Sequence, residues 1–220
     1  MKTLLFLASL LLASSALATT TSCQSGSMMS YLVSGFACQS GSLTFSRFDY
    51  QGTGPTASSI TVSPLSAFDN EGFQFQGGWS VSSQNGISNS QEAHISYTVQ
   101  NVGSLIDTLS LSFGSMVSGT GISRVTEQFC LGSSLDNCPN VDQGLVSVTN
   151  PGSGFSNRAF FAGVSSIAVS KDIFVNSGAN GAASISHITD TFSSPEPLSF
   201  VLLGTGLLGI TLMRRRLNRR

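Results

Sequence analysis

Two histidines limit what this chain can do by acid–base chemistry. His94 and His187 are the only imidazoles among 220 residues, and imidazole is the side chain that ordinarily titrates near neutral pH. A Ser/His/Asp nucleophilic site is arithmetically open, because serine occurs throughout. No motif organises one: the sequence has no Gly-x-Ser-x-Gly elbow, no His-Glu-x-x-His, no phosphate loop and no Gly-x-Gly-x-x-Gly after a strand. His94 falls on the outward parity of a strand expected at 93–99, the place of a surface imidazole. His187, inside the last expected strand, reads the same way. Catalysis is therefore not expected.

Two clusters of oxygen donors come next. Asp69-Asn70-Glu71-Gly72 and the segment from Asp136 through Asn140 and Asp142 to Gly144 could offer oxygens to Ca²⁺. Neither carries the distant bidentate glutamate of an EF-hand, and both have the composition of solvated turns. Trp79 and Tyr97 could stack on sugars, but their parity places them in a core with Phe73 and Phe75. No cofactor and no metal is expected.

Cys23, Cys38, Cys130 and Cys138 are an even set. No Cys-x-x-Cys pair is present, and both histidines are distant in sequence, so disulfides are favoured over a metal site. Four cysteines allow three pairings, and sequence proximity favours Cys23–Cys38 with Cys130–Cys138.

Composition sets the frame for these residues. Charged residues are 10% and hydrophobic residues 40% of the chain. That is sparsely charged for a globular protein and too apolar for a disordered one. The formal net charge of −1 hides a segregation. Residues 19–194 carry four basic groups (Arg47, Arg124, Arg158, Lys171) against ten acidic ones, and five arginines follow Met213. The acidic body offers no basic patch for nucleic acid.

The elements that must position these residues are strands. Alternation of apolar and polar residues marks 42–50, 58–62, 72–81, 93–99, 105–113, 122–129, 144–148, 159–164, 167–175 and 183–192. A parity shift near Ser46-Arg47 predicts a bulge. The turn-like Asn101–Ser104 segment predicts a hairpin joining 93–99 to 105–113. No stretch of 19–194 sustains a 3.6-residue period. The expected fold is all-β, an antiparallel sandwich or jelly-roll-like body.

Both termini read as signals. Lys2, the apolar run 4–12 and Ala16-Leu17-Ala18 form a secretory signal over 1–18, with the mature chain starting at Thr19. At the other end, Pro195-Glu196-Pro197 precedes the apolar run 198–213, and Arg214, Arg215 and Arg216 open a basic tail over 214–220. The 16 apolar residues of 198–213 span about 24 Å as a helix, short of the roughly 30 Å hydrocarbon core. Tilt or local thinning makes up the difference, and the arginines hold that end in the cytoplasm.

The tail resembles the PEP-CTERM sorting signal of Gram-negative bacteria. The resemblance rests on Pro195-Glu196-Pro197, the Val-Leu-Leu-Gly-Thr-Gly-Leu-Leu-Gly run and Arg214–Arg216. It implies that an exosortase, a multi-pass membrane cysteine peptidase, recognises 195–220 and cleaves near Pro195–Pro197, and that the product associates with exopolysaccharide and biofilm. Fragments of the body (38–50, 72–75, 95–99 and 127–130) are similar to a class of PEP-CTERM passenger domains, which implies a β fold. The expected role of 19–194 is that of an exported, non-catalytic cell-surface or matrix component. The alternative is a carbohydrate-binding module, with Ca²⁺ as a conceivable aid. The expected partners are the exosortase, the membrane through the C-terminal helix, and exopolysaccharide.

Overall fold

Period-two alternation of apolar and polar residues decides almost every element of the body. The computed structural model describes residues 21–193 apart from 68, 69 and 133. The expected signal peptide, the Pro195-Glu196-Pro197 motif, the 198–213 helix and Arg214–Arg216 therefore lie outside the described residues. In chain order the elements are β1 (Thr21–Ser22), β2 (Gly26–Ser27), one helical turn α1 (Met28–Tyr31), β3 (Ala37–Ser40), β4 (Leu43–Gly52), β5 (Thr61–Ala67), β6 (Asn70–Gln76) and β7 (Trp79–Ser82). They continue with β8 (Ser90–Asn101), β9 (Ile106–Ser118), β10 (Ile122–Cys130), β11 (Gln143–Asn150), β12 (Ser156–Val164), β13 (Ser166–Asn176) and β14 (Ala182–Ser193). Among the described residues no helix is long and apolar enough to cross a membrane.

The strands form two sheets of seven. One has the order β1-β3-β4-β8-β13-β10-β11. The other runs β12-β9-β14-β6-β5-β2, with β7 also paired to β14. Their inner faces meet in one core that includes Phe45, Phe73, Phe75, Trp79, Tyr97, Leu109, Val125, Ile173, Ile188 and Phe192. The fold is an all-β sandwich.

Three local features follow from residue chemistry. The bulge expected at Ser46-Arg47 is present as a register shift between Ser46 and Asp49, with Arg47 at φ 57°. The expected strand 72–81 is broken in two: Gly78, at φ 64°, turns the chain between β6 and β7 in a conformation that favours glycine. Pro64 sits inside β5, but beyond the short stretch where β2 pairs with β5, so its missing N–H breaks no ladder bond on that side.

The hairpin expected between 93–99 and 105–113 does not form. β8 lies in the first sheet and β9 in the second, so residues 102–105 carry the chain across the sandwich. The alternation that suggested a hairpin fits this arrangement equally well. Ile95, Tyr97 and Val99 on one strand and Leu109, Leu111 and Phe113 on the other are all buried. Facing each other across the core satisfies both apolar faces, as in the packed sheets of a sandwich.

Candidate functional site

Alternation also carries three charged residues inward. In β13, Lys171 occupies the parity of Val169 and Ile173. In β10, Glu127 occupies that of Val125 and Phe129. In β14, Asp190 occupies that of Ile188 and Phe192. All three are 0% exposed, and Tyr97 of β8 is 2% exposed. Lys171 and Glu127 are register partners in the first sheet, and Tyr97 is on the adjacent strand beside Val169. Asp190 projects from the middle of the opposite sheet, where β14 lies between β9 and β6. Gly72 allows close approach there, since a Cβ at that position would collide with the Asp190 carbonyl oxygen.

Lys171 Nζ lies 2.5 Å from Asp190 Oδ2 and 3.0 Å from Glu127 Oε1. It donates to Tyr97 Oη at 3.1 Å and sits 4.4 Å from the centre of the Tyr97 ring. Tyr97 O–H in turn donates to Asp190 Oδ2. The Phe75 ring centre is 5.7 Å from Nζ, and Phe45, Phe48, Phe73 and Phe192 surround Tyr97. One cation thus faces two carboxylates in an aromatic enclosure. Glu127 Oε2 and Asp190 Oδ1 have no hydrogen-bond partner among the described residues.

The electrostatics follow from that enclosure. Burial pushes the Glu127 carboxyl well above its ordinary range, and the Asp190 charge adds to this against the opposing pull of Lys171. Burial, then Asp190, then Glu127 hold the Tyr97 phenol well above its usual range. Burial lowers Lys171, but the attraction of Asp190 and Glu127 outweighs it and the net direction is upward. A carboxyl group whose charged form burial disfavours, a phenol and an amine within 3.1 Å of both can pass protons among themselves without solvent.

A second cluster occupies the outer face of the same strands. His94 Nε2 is 3.7 Å from Glu92 Oε1, and His94 Nδ1 is 4.0 Å from Asp172 Oδ1. Arg124 Nη2 approaches Asp172 Oδ2 at 3.7 Å and stacks over Phe174 at 5.4 Å. Glu92, His94 and Asp172 can bring one ligand atom each within 4.8 Å of one another. This nitrogen-and-carboxylate set has the composition a borderline divalent cation accepts.

The remaining sequence candidates are dispersed. His187 Nδ1 lies 3.1 Å from Ser186 Oγ on the exposed side of β14. Glu71 accepts hydrogen bonds from Ser42 N and Oγ at 2.9 and 3.0 Å and so closes the Gly41 turn, while Asp69 lies outside the described residues. Asp142 belongs to the short turn Asn140–Asp142, where its carbonyl accepts from Leu131 N at 2.8 Å. Trp79 and Tyr97 are in the core. Disulfides join Cys23 to Cys38 and Cys130 to Cys138, as befits an oxidising compartment. A cavity of about 500 Å³ opens beside the second clamp, lined by Gln128, Phe129, Leu135, Gln143, Leu145 and Ser170, with no ionisable side chain among its described lining. The inner cluster was missed by reading motifs. The available signal was charge on the apolar parity of three strands.

No family model matches the chain, and neither does any curated protein. Among solved structures, TmCBM61 in complex with beta-1,4-galactotriose aligns at TM-score 0.33 and 10% identity, over 66% of this chain and 88% of that one. The glycosylation-associated Gap123 complex of Streptococcus agalactiae aligns at 0.31 and 8%, over 66% of this chain and 26% of that one. The CBM22-1 xylan-binding domain of Paenibacillus barcinonensis Xyn10C aligns at 0.23 and 8%, over 81% and 99%. Likenesses this distant carry no argument about what the chain binds.

Proposed function

We propose that the chain is an exported, non-catalytic structural component of the cell surface or extracellular matrix. The observation that carries this reading is the placement of the Tyr97–Glu127–Lys171–Asp190 cluster. Among the described residues the tightest cluster of charged side chains is sealed between two sheets, where it ties them together and no external substrate reaches it. Two disulfides that clamp local loops accord with service outside the reducing cytoplasm. Delivery through an exosortase acting at Pro195-Glu196-Pro197, with 198–213 as a temporary membrane stop, completes the proposal. Mass spectrometry of surface protein from the native host tests delivery. A product ending near Pro195–Pro197 is expected, and recovery of only full-length chain with Arg220 intact refutes processing.

One observation favours a second reading, carbohydrate binding. Phe160 on β12 is 75% exposed, with the Arg158 guanidinium 5.8 Å above its ring, and exposed aromatic rings are surfaces on which sugars stack. A glycan array with the mature secreted chain separates the two readings. The structural role predicts a blank array, whereas binding abolished by Phe160→Ala transfers the assignment to a carbohydrate-binding module.

A further inference from the structure

The inner cluster has the composition and spacing for a covalent step. An amine, a carboxyl to receive it and a second carboxyl within reach of the nitrogen are all present. The nitrogen and Asp190 Oδ2 stand 2.5 Å apart, which places Cγ, one bond of about 1.2 Å further on, no more than about 3.7 Å from the nitrogen. Glu127 Oε1 is 3.0 Å from the same nitrogen, within reach for proton transfer. Solvent is excluded from all three side chains. Each residue is fixed by its own strand, so no loop motion is needed to assemble the group.

We propose that the chain cross-links itself across the sandwich: Lys171 Nζ condenses with Asp190 Cγ to form an amide, and Glu127 is the catalytic proton carrier. The step balances without any co-reactant. A proton passes from the Lys171 ammonium by way of Glu127 Oε1, 3.0 Å from the nitrogen, to Asp190 Oδ1, leaving a neutral amine and a neutral acid with its hydroxyl on Oδ1. A neutral pair is favoured over separated charges in an apolar enclosure. The nitrogen lone pair then attacks Cγ, while Tyr97 O–H donates to the developing oxyanion at Oδ2. Glu127 takes a proton from the nitrogen and delivers one to the departing Oδ1 hydroxyl. The C–O bond breaks, the N–Cγ amide remains, one water leaves, and Glu127 ends as it began. Nothing is oxidised or reduced. The upward displacement of the Glu127 carboxyl by burial accords with a group that holds a proton to give.

The product accounts for one of two unpartnered oxygens in the cluster. Glu127 Oε2 and Asp190 Oδ1 are buried without hydrogen-bond partners among the described residues, an unfavourable condition for charged oxygens. Condensation removes Oδ1 altogether and replaces a buried ion pair by an uncharged amide. The bond also joins β14, the last strand before residue 194, to β13, an interior strand of the other sheet. A pull on the C-terminal end of β14 then meets a covalent bond instead of strand pairing alone. The reaction is a single turnover on the chain's own side chains and does not depend on the proposed surface role.

The test is peptide mapping of the purified full chain after reduction and alkylation. Trypsin is expected to leave Lys171 uncut, in a peptide that begins at Ala159, contains both Lys171 and Asp190 and is one water lighter than its sequence. Further digestion at aromatic residues is expected to release two peptides still joined through those side chains. Glu127→Gln, close in shape, should restore cleavage after Lys171 and split this peptide into two of full mass, and Lys171→Met, close in volume, should leave it whole and at full mass. Formation of both disulfides confirms that each variant has folded, and if neither folds the wild-type mass decides by itself. Wild-type cleavage after Lys171, giving two separate peptides of full mass, overturns the proposal. So does a water loss that maps to other residues or persists undiminished in Glu127→Gln.

Discussion

Lys171 and Asp172 are neighbours in β13, and the sheet sends them to opposite environments. Lys171 enters a dry aromatic enclosure with two carboxylates and a phenol. Asp172 faces outward, 29% exposed, between Arg124 and His94, whose side chains are 46% and 53% exposed. Both clusters draw on β8, β10 and β13, and the inner one adds Asp190 from β14 of the other sheet. The Lys171 nitrogen has oxygen partners at 2.5 to 3.1 Å, whereas the contacts of the outer cluster are 3.7 to 4.0 Å. One residue step changes the dielectric surroundings, and with them the strength of every charge interaction. The comparison teaches that position relative to the pleat, more than residue type, decides whether a charge here is structural machinery or solvated surface.

The largest expected effect comes from removing the central cation. Lys171→Ala leaves two carboxylates buried without it, and breaking a buried pair costs about 3 to 5 kcal/mol. The cost of the ion pair alone sets that floor, since the substitution also abolishes any cross-link. Arg124→Ala on the outer face should cost at most about 1 kcal/mol, the scale of exposed pairs. Urea denaturation of the two variants beside wild type measures the contrast. Equal losses break the comparison.

The clamps provide an intermediate scale. Replacing Cys23 and Cys38 by alanine should cost about 3 kcal/mol for a separation of 15 residues. Opening Cys130–Cys138, with a separation of 8, should cost about 2.5 kcal/mol. Thermal unfolding of the two double variants checks the order. Both should fall short of Lys171→Ala, because the clamps tie local segments whereas the inner cluster joins the sheets.

Much of this was legible in the sequence. Strands such as β8 and β13 announce themselves by Ile95-x-Tyr97-x-Val99 and Ile167-x-Val169, and the bulge at Arg47 by a change of parity. Sheet membership was not legible. Alternation says that Tyr97 and Leu109 each face a core, but not whether their strands lie side by side or face to face, which is why β8 and β9 were expected to pair. The site was half legible. Lys171, Glu127 and Asp190 each stand where an apolar residue belongs, a conflict visible in three short windows. That they converge could not be read, because Asp190 belongs to the other sheet and only the sandwich brings it within 2.5 Å of Lys171. Glu92 and His94 share a face by simple spacing, but their meeting with Asp172 depends on the β8–β13 register.

Alkaline pH probes the inner region next. Burial, followed by Asp190 and Glu127, raises Tyr97 well above 10.0, and burial raises Tyr31 from 10.0 to about 12. A group whose folded value exceeds its unfolded one stabilises fully below the unfolded value. Above pH 10 the unfolded chain sheds phenolic protons that the folded chain keeps, so stability falls as pH rises from 10 toward 12. Urea midpoints measured across that interval should decline. Tyr31→Phe, which has no phenolic proton, should flatten the decline; a profile just as steep in Tyr31→Phe would mean that this phenol does not contribute.

Salt gives the smallest effect and the most direct separation of the two faces. At 1 M ionic strength the Debye length is about 3 Å, shorter than the Arg124–Asp172 contact, whose arginine side chain is 46% exposed. Whatever stability Arg124→Ala loses at low salt, a fraction of about 1 kcal/mol, should vanish when both proteins are compared in 1 M NaCl. The loss in Lys171→Ala should persist, because ions cannot enter between the sheets to screen charges that water itself does not reach. A Lys171→Ala deficit that salt erases would mean that the inner cluster is open to solvent on the timescale of unfolding, and the division between the faces of β13 would then be one of degree.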